Sequence, residues 1–182
     1  DDPIIAPFAG QTAFIPSMGI ELKMDAFSLA VAGSYGMCDK DELDKEYAAY
    51  AFDVNPSLKL GSDIKIDAFF TMLSGDDDAT DKDATSFTNF EVMWDGFGRM
   101  YLLEYYSKFS NIGKTGSFDA RQNAYGYMLA GGSVAYKASP FEAKVAVAWA
   151  QTAAEQKNDD NFERSLGTEI DAMFAYEVEK NA

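Results

Sequence analysis

Histidine is missing from this sequence, and cysteine occurs once, at Cys38. Without histidine there is no imidazole base for a Ser/His or Cys/His pair, and the commonest metal-ligating side chain is gone as well. A single thiol makes neither a disulfide framework nor a CxxC metal knuckle. Basic residues are scarce: 15 Lys and Arg stand against 30 Asp and Glu, a formal charge of -15. Nucleic acid would be repelled, and no basic patch with interleaved aromatics offsets that. The same acidity disfavours attachment to an anionic membrane surface through charge. No run of about 18 apolar residues occurs, which excludes a transmembrane helix. The opening "DDPIIAPFAG" has no basic n-region and does not read as a signal peptide. A secreted chain whose signal has been removed, or a fragment, would start the same way.

Apolar residues are plentiful, at 47% of the 182 residues with 14% aromatic, so the chain is not disordered and can bury a core. The residues alternate. In "LKLGSDIKIDAFFTML" (58–73), Leu58, Leu60, Ile64, Ile66, Phe70 and Met72 share one parity, and Lys59, Asp63, Lys65 and Asp67 the other. The period of two predicts strands there and over "GIELKM" (19–24), "FSLAVAGSYGM" (27–37) and "YAAYAFDV" (47–54). The same reading gives strands over "FTNFEVMW" (87–94), "MYLLEYYSKF" (100–109), "AYGYMLAGGSVAYK" (124–137), "FEAKVAVAWAQ" (141–151) and "TEIDAMFAYEV" (168–178). Residues 1–182 read as a single domain, with 1–17 as an irregular lead-in.

The connections sort by length. "DA" (25–26), "NPS" (55–57), "DGFG" (95–98), "ASP" (138–140) and "EKNA" (179–182) are short. Between them, "CDKDELDKE" (38–46), "SGDDDATDKDATS" (74–86), "SNIGKTGSFDA" (110–120) and "TAAEQKNDDNFERSLG" (152–167) are long and polar. Short turns on one face and long acidic loops on the other predict an all-β fold. The expected form is an up-and-down antiparallel transmembrane β-barrel, or part of one, with about 8–10 strands in this chain.

Alternation alone does not say which face is inside. A soluble sheet packs its apolar face on a core, whereas a membrane barrel turns it to lipid. Three features favour lipid: long strands, Ala, Ser, Gly and charge opposite the large apolar residues, and aromatics near strand ends. Those aromatics, Tyr35, Tyr47, Trp94, Tyr125, Tyr136, Trp149 and Tyr176, suit interfacial girdles. The lumen would then be lined by Glu21, Lys23, Lys59, Asp63, Lys65, Asp67, Glu91, Glu142, Lys144, Glu169, Asp171 and Glu177. Charges of both signs facing each other across a pore orient polar solutes and hold water.

Other chemistry is weak. The pairs Asp63/Asp67 and Glu169/Asp171 each lie on one face of one strand and point the same way, unlike carboxylates flanking a scissile bond. No enzyme activity is expected. "GDDDATDKD" (75–83) places Asp76, Asp78 and Asp81 at a spacing that could hold calcium, but lacks the glycine and distal glutamate of an EF-hand. "GYMLAGG" and "GFG" are followed by no Lys-Ser/Thr and are not nucleotide loops.

"LSGDDDATDKDATSF" (73–87) and "SLGTEIDAMFAYEVEKN" (165–181) resemble segments of the large outer-membrane porins of Gram-negative bacteria, the alginate-export-like group. The resemblance covers most of residues 58–181. It implies a channel in the bacterial outer membrane for passive diffusion of small polar solutes or ions. Its partners would be outer-membrane lipid, its solutes and further copies in a homo-oligomer, with no cofactor beyond calcium in the acidic loops. Such porins are longer, have an even strand number and end in a strand closing on an aromatic residue. The alternative from the residues is a soluble or cell-surface β-rich binding or assembly subunit with acidic, calcium-binding loops.

Overall fold

A computed structural model describes residues 13–38, 46–77, 83–85, 125–155 and 163–177. They form one antiparallel sheet whose long strands are β2 (Ser17–Lys23), β3 (Phe27–Cys38), β4 (Glu46–Leu60), β5 (Ile64–Leu73), β7 (Tyr127–Ala138), β8 (Phe141–Gln151) and β9 (Ser165–Tyr176). Two short pieces complete it: β1 (Ala13–Phe14), and β6 (Asp83–Ala84), which pairs in parallel with β4. β1 continues the register of β2 along β3, and Pro16 between them accepts a bond from the Tyr35 amide at 3.0 Å. The long strands follow one another across the sheet in chain order, an up-and-down arrangement open at both edges among the described residues.

All the tight connections fall at one end: 24–26, 61–63 and 139–140. The connections 39–45, 74–126 and 152–164 fall at the other. These are called the turn end and the loop end below.

Three expectations are corrected. First, residues 58–73 are not one strand. The turn Gly61–Ser62–Asp63 divides them, and Asp63 sits in that turn. A three-residue turn preserves parity, so Leu60 and Ile64 are direct partners on the same face and the alternation runs through unbroken. Second, "NPS" is not a turn but part of β4. Pro56 has no amide, and that missing donor points toward β5. There the ladder lapses, between Val54↔Phe70 and Ser57↔Asp67, while pairing with β3 continues through Leu29↔Pro56. Third, β5 pairs directly with β7. The strands expected over 87–94 and 100–109, with the turn at 95–98, lie outside the described residues.

At the loop end the chain leaves β5 and enters β7 through a tight contact. A Cβ on Gly126, at φ +67°, would stand 2.4 Å from the Leu73 carbonyl, and one on Gly75 would stand 1.9 Å from that of Tyr125. Only glycine permits this approach. Ser74 ties the corner to neighbouring segments: its amide donates to the Tyr50 carbonyl, and its hydroxyl to that of Thr85. β9 carries a bulge opposite Ala150/Gln151, beside Gly167 at φ +123°.

Every buried strand residue lies on one face, called inner here. A cluster of Phe69, Tyr127, Leu129, Ala146, Ala148 and Ala150 forms its apolar part, with Leu73 and Leu166 packed against it. Gly131 lies within it, opposite Phe69 and Ala148. A Cβ there would meet the Val147 carbonyl at 2.5 Å, Phe69 Cζ at 2.6 Å and Ala148 Cβ at 2.7 Å. Gly131→Ala is expected to cost about 1–3 kcal/mol by overpacking. Removing the ring in Phe69→Ala/Gly131→Ala should return part of that loss, measured as coupling in a double-mutant cycle of denaturant unfolding.

Candidate functional site: the two faces of the sheet

The sheet buries residues on one face and exposes large apolar residues on the other. Outward stand Ile20, Val31, Leu58, Ile64, Val134, Val145, Val147, Ile170 and Phe174, all exposed; Phe174 is 79% exposed and Ile170 73%. Inward are small residues, polar residues and charge, together with the cluster around Leu129, which is 1% exposed. Among the described residues no second layer covers the outer face.

Aromatics on the outer face fall in two bands. Near the loop end are Tyr35, its cross-strand partner Tyr50, and Trp149. Near the turn end are Tyr136, Phe141 and Tyr176, the last two in edge-to-face contact at 5.1 Å. Along β8, Phe141 and Trp149 are separated by ~27 Å of strand, or ~21 Å along the normal at the usual barrel tilt. That is close to the ~25 Å apolar band of a membrane barrel. Tyr125 lies at the loop end before β7. The side chains of Tyr47 and Trp94 lie outside the described residues.

The inner face is zoned. Its loop-end half carries the apolar cluster, and its turn-end half carries most of the charge. Register places Glu21 and Lys23 (β2), Lys59 (β4), Lys65 and Asp67 (β5), and Glu142 and Lys144 (β8) on the inner parity of the turn-end half. Glu169 and Asp171 share that face at mid-height, opposite Ala148 and Ala146. Glu169 is buried, at 8% exposure. Glu177 follows β9 at the turn end and is exposed. Asp63 is in a turn, and Glu91 lies outside the described residues. Ion pairs link Lys23 to Glu21 at 2.9 Å and Lys65 to Asp67 at 2.8 Å, each within one strand. Such exposed pairs contribute at most ~1 kcal/mol each. Their use is to fix where charge sits.

Sequence reading missed two members of this face. Lys137 pairs across strands with Glu142 at 3.2 Å. Asp53 accepts hydrogen bonds from Thr71 Oγ1 and Asn55 Nδ2, joining β4 to β5. Parity was the available signal: Asp53 alternates in step with Ala49 and Ala51, and Lys137 with Ser133. Asp53→Ala is expected to destabilise the fold by about 1–3 kcal/mol, because Thr71 loses a bond to a charged group. Thr71 is itself buried. Chemical denaturation of the two proteins checks this.

For the acidic calcium motif, Asp76 is described just after β5, while Asp78 and Asp81 are not. Among the described residues no group of three or more acidic, cysteine or histidine side chains is arranged to hold a metal. No described helix is long and apolar enough to cross a membrane, which has no bearing on crossing by strands. The chain matches no family model, no curated protein and no solved structure.

Proposed function

We propose that the chain forms the wall, or part of the wall, of an outer-membrane β-barrel channel through which small polar solutes or ions diffuse passively. One observation carries the reading. On long strands across the sheet, large apolar side chains are exposed on the outer face, while buried residues are confined to the inner one. In water that arrangement would leave the hydrophobic effect unused on most of the sheet. Against lipid it is the stable one. The two aromatic bands and the resemblance to alginate-export-like porins support the same reading.

Transport needs no chemistry beyond the inner face. Rows of Glu21, Asp67, Glu142, Glu169 and Asp171 interleaved with Lys23, Lys59, Lys65, Lys137 and Lys144 keep water and orient solutes across the path. The net excess of acid over the sequence draws cations toward the mouths. The soluble-subunit alternative would require a partner over the whole outer face.

Heat-modifiable migration on gels and conductance in planar bilayers test the reading. Folding only in detergent or lipid, with channel activity, is expected. A monodisperse protein in plain buffer that gives no conductance would sink it. In the Glu169→Gln/Asp171→Asn variant the cation-to-anion permeability ratio should fall by on the order of twofold at low salt, and less as screening increases. Reversal potentials in a salt gradient read this directly.

A further inference from the structure

Gly33 stands in the middle of β3, on the outer face, where nothing in the chain requires a glycine. Its φ is not positive, unlike those of Gly61, Gly126 and Gly167. A Cβ on it would meet one atom within 4 Å, the Ala51 carbonyl oxygen, at an ordinary 3.7 Å. Gly132, the other glycine on the outer face of the described strands, differs: a Cβ there would stand 2.8 Å from the Asp67 carbonyl. Nor does an aromatic ring lie over Gly33, as rings do where they cover a sheet glycine. Glycine inside a strand weakens it, and it often marks a place where a ligand or another backbone comes close.

Large side chains surround the position. Its partners across the strands are Met18 on β2 and Phe52 on β4. Its same-face neighbours along β3 are Tyr35 and Val31, whose own partners are Tyr50 and Ile20. The Phe52 ring is engaged with Phe70 of β5, at a centroid distance of 5.3 Å, on the side away from Gly33. What remains is a groove of about 500 Å³, floored by Gly33 and lined chiefly by these six side chains. That volume falls within the ~300–1,000 Å³ of small-ligand sites. No residue lining the groove carries a charge.

The extent of the groove matches one leaflet. It runs from the loop-end aromatic band, at Tyr35 and Tyr50, to mid-height, at Ile20 and Val31. That is ~13 Å of strand, or ~10 Å along the normal at the usual tilt. Half of the ~25 Å apolar band is about the same. A flexible apolar chain with its polar end at the two tyrosines fits this space, and tyrosine hydroxyls donate to ester or phosphate oxygens. The facing sheet of a second copy would instead meet the band over its whole height.

We propose that the groove binds one acyl chain of a membrane lipid from the leaflet at the loop end, with Gly33 as its floor and Tyr35 and Tyr50 beside the headgroup. The proposal rests on the membrane reading above and goes beyond it: lipid elsewhere on the outer face exchanges freely, whereas this molecule is retained.

Native mass spectrometry of the protein in detergent, with added dioleoyl-phosphatidylethanolamine, tests it. One lipid per protein should survive dilution into lipid-free detergent. Gly33→Leu, which fills the groove, should lower that retention by at least about tenfold. Gly33→Ala, whose Cβ has room, should lower it less, and it carries the test if the leucine variant does not fold. Val145→Leu, on the same face but on β8, should leave retention unchanged. Heat-modifiable migration shows that each variant is folded. Equal retention in all four proteins, retention in none, or a loss in Val145→Leu equal to that in Gly33→Leu overturns the proposal. So does a lipid-free dimer that Gly33→Leu dissociates, which would assign the groove to a second copy. Failure of the membrane reading shows separately, as a monodisperse protein in plain buffer without conductance. A protein that folds only in detergent yet retains no lipid strikes this inference alone.

Discussion

Val145→Arg is expected to destabilise the vesicle-inserted protein by about 2–4 kcal/mol, and Phe141→Arg by only about 0–1 kcal/mol. Both side chains are on the outer face of β8, and both are exposed. Val145 stands midway between Phe141 and Trp149, at the centre of the apolar band. Phe141 stands in the turn-end aromatic band, where a guanidinium reaches the headgroups. In a soluble sheet the order has no reason to exist. A half-exposed valine replaced by arginine in water shifts stability by about ±0.5 kcal/mol. The gradient between the two sites, read from reversible denaturant unfolding in vesicles, therefore matters more than either value.

The second large effect concerns the inner face. Leu129→Ala is expected to cost about 2–5 kcal/mol. Leu129 is 1% exposed and lies between Thr71 of β5 and Ala150 of β8, within the cluster of Phe69, Tyr127, Ala146 and Ala148. The neighbours facing it across the strands are small or part of the backbone, so little can move in to fill the space. Taken with Val145→Arg, the result would show both faces in use at once: one packed within the protein, the other packed against lipid. Urea or guanidinium titration in the same vesicles measures both.

Much of this arrangement was readable from alternation. Side-chain parity along 27–37, 141–151 and 168–176 put the large apolar residues on one face, and the register confirms that face as the exposed one. Of the tight connections expected, those at 25–26 and 138–140 do fall together at one end, and the turn at 61–63 stands there in place of the one expected at 55–57. What alternation could not show is where a strand stops when its turn keeps parity. Leu60 and Ile64 read as successive members of one strand and are partners in two. Nor does local composition show when proline is tolerated. "NPS" looked like a turn, yet Pro56 costs β4 only its bond toward β5. Residue type hides Asp53 and Lys137 as well: aromatic and small residues dominate 47–54 and 124–137, and only parity sets these two side chains beside the other inner charges.

The central claim is that lipid covers the outer face. A nitroxide placed in turn at residues 144 to 149 of β8, in Cys38→Ser protein reconstituted into vesicles, tests it most directly. Collision with apolar oxygen should rise at 145, 147 and 149 and fall at 144, 146 and 148, with the period of the strand. A water-soluble nickel reagent should be excluded from the first set. Strong collision of the nickel reagent at 145 and 147, with no oxygen periodicity, would contradict the account.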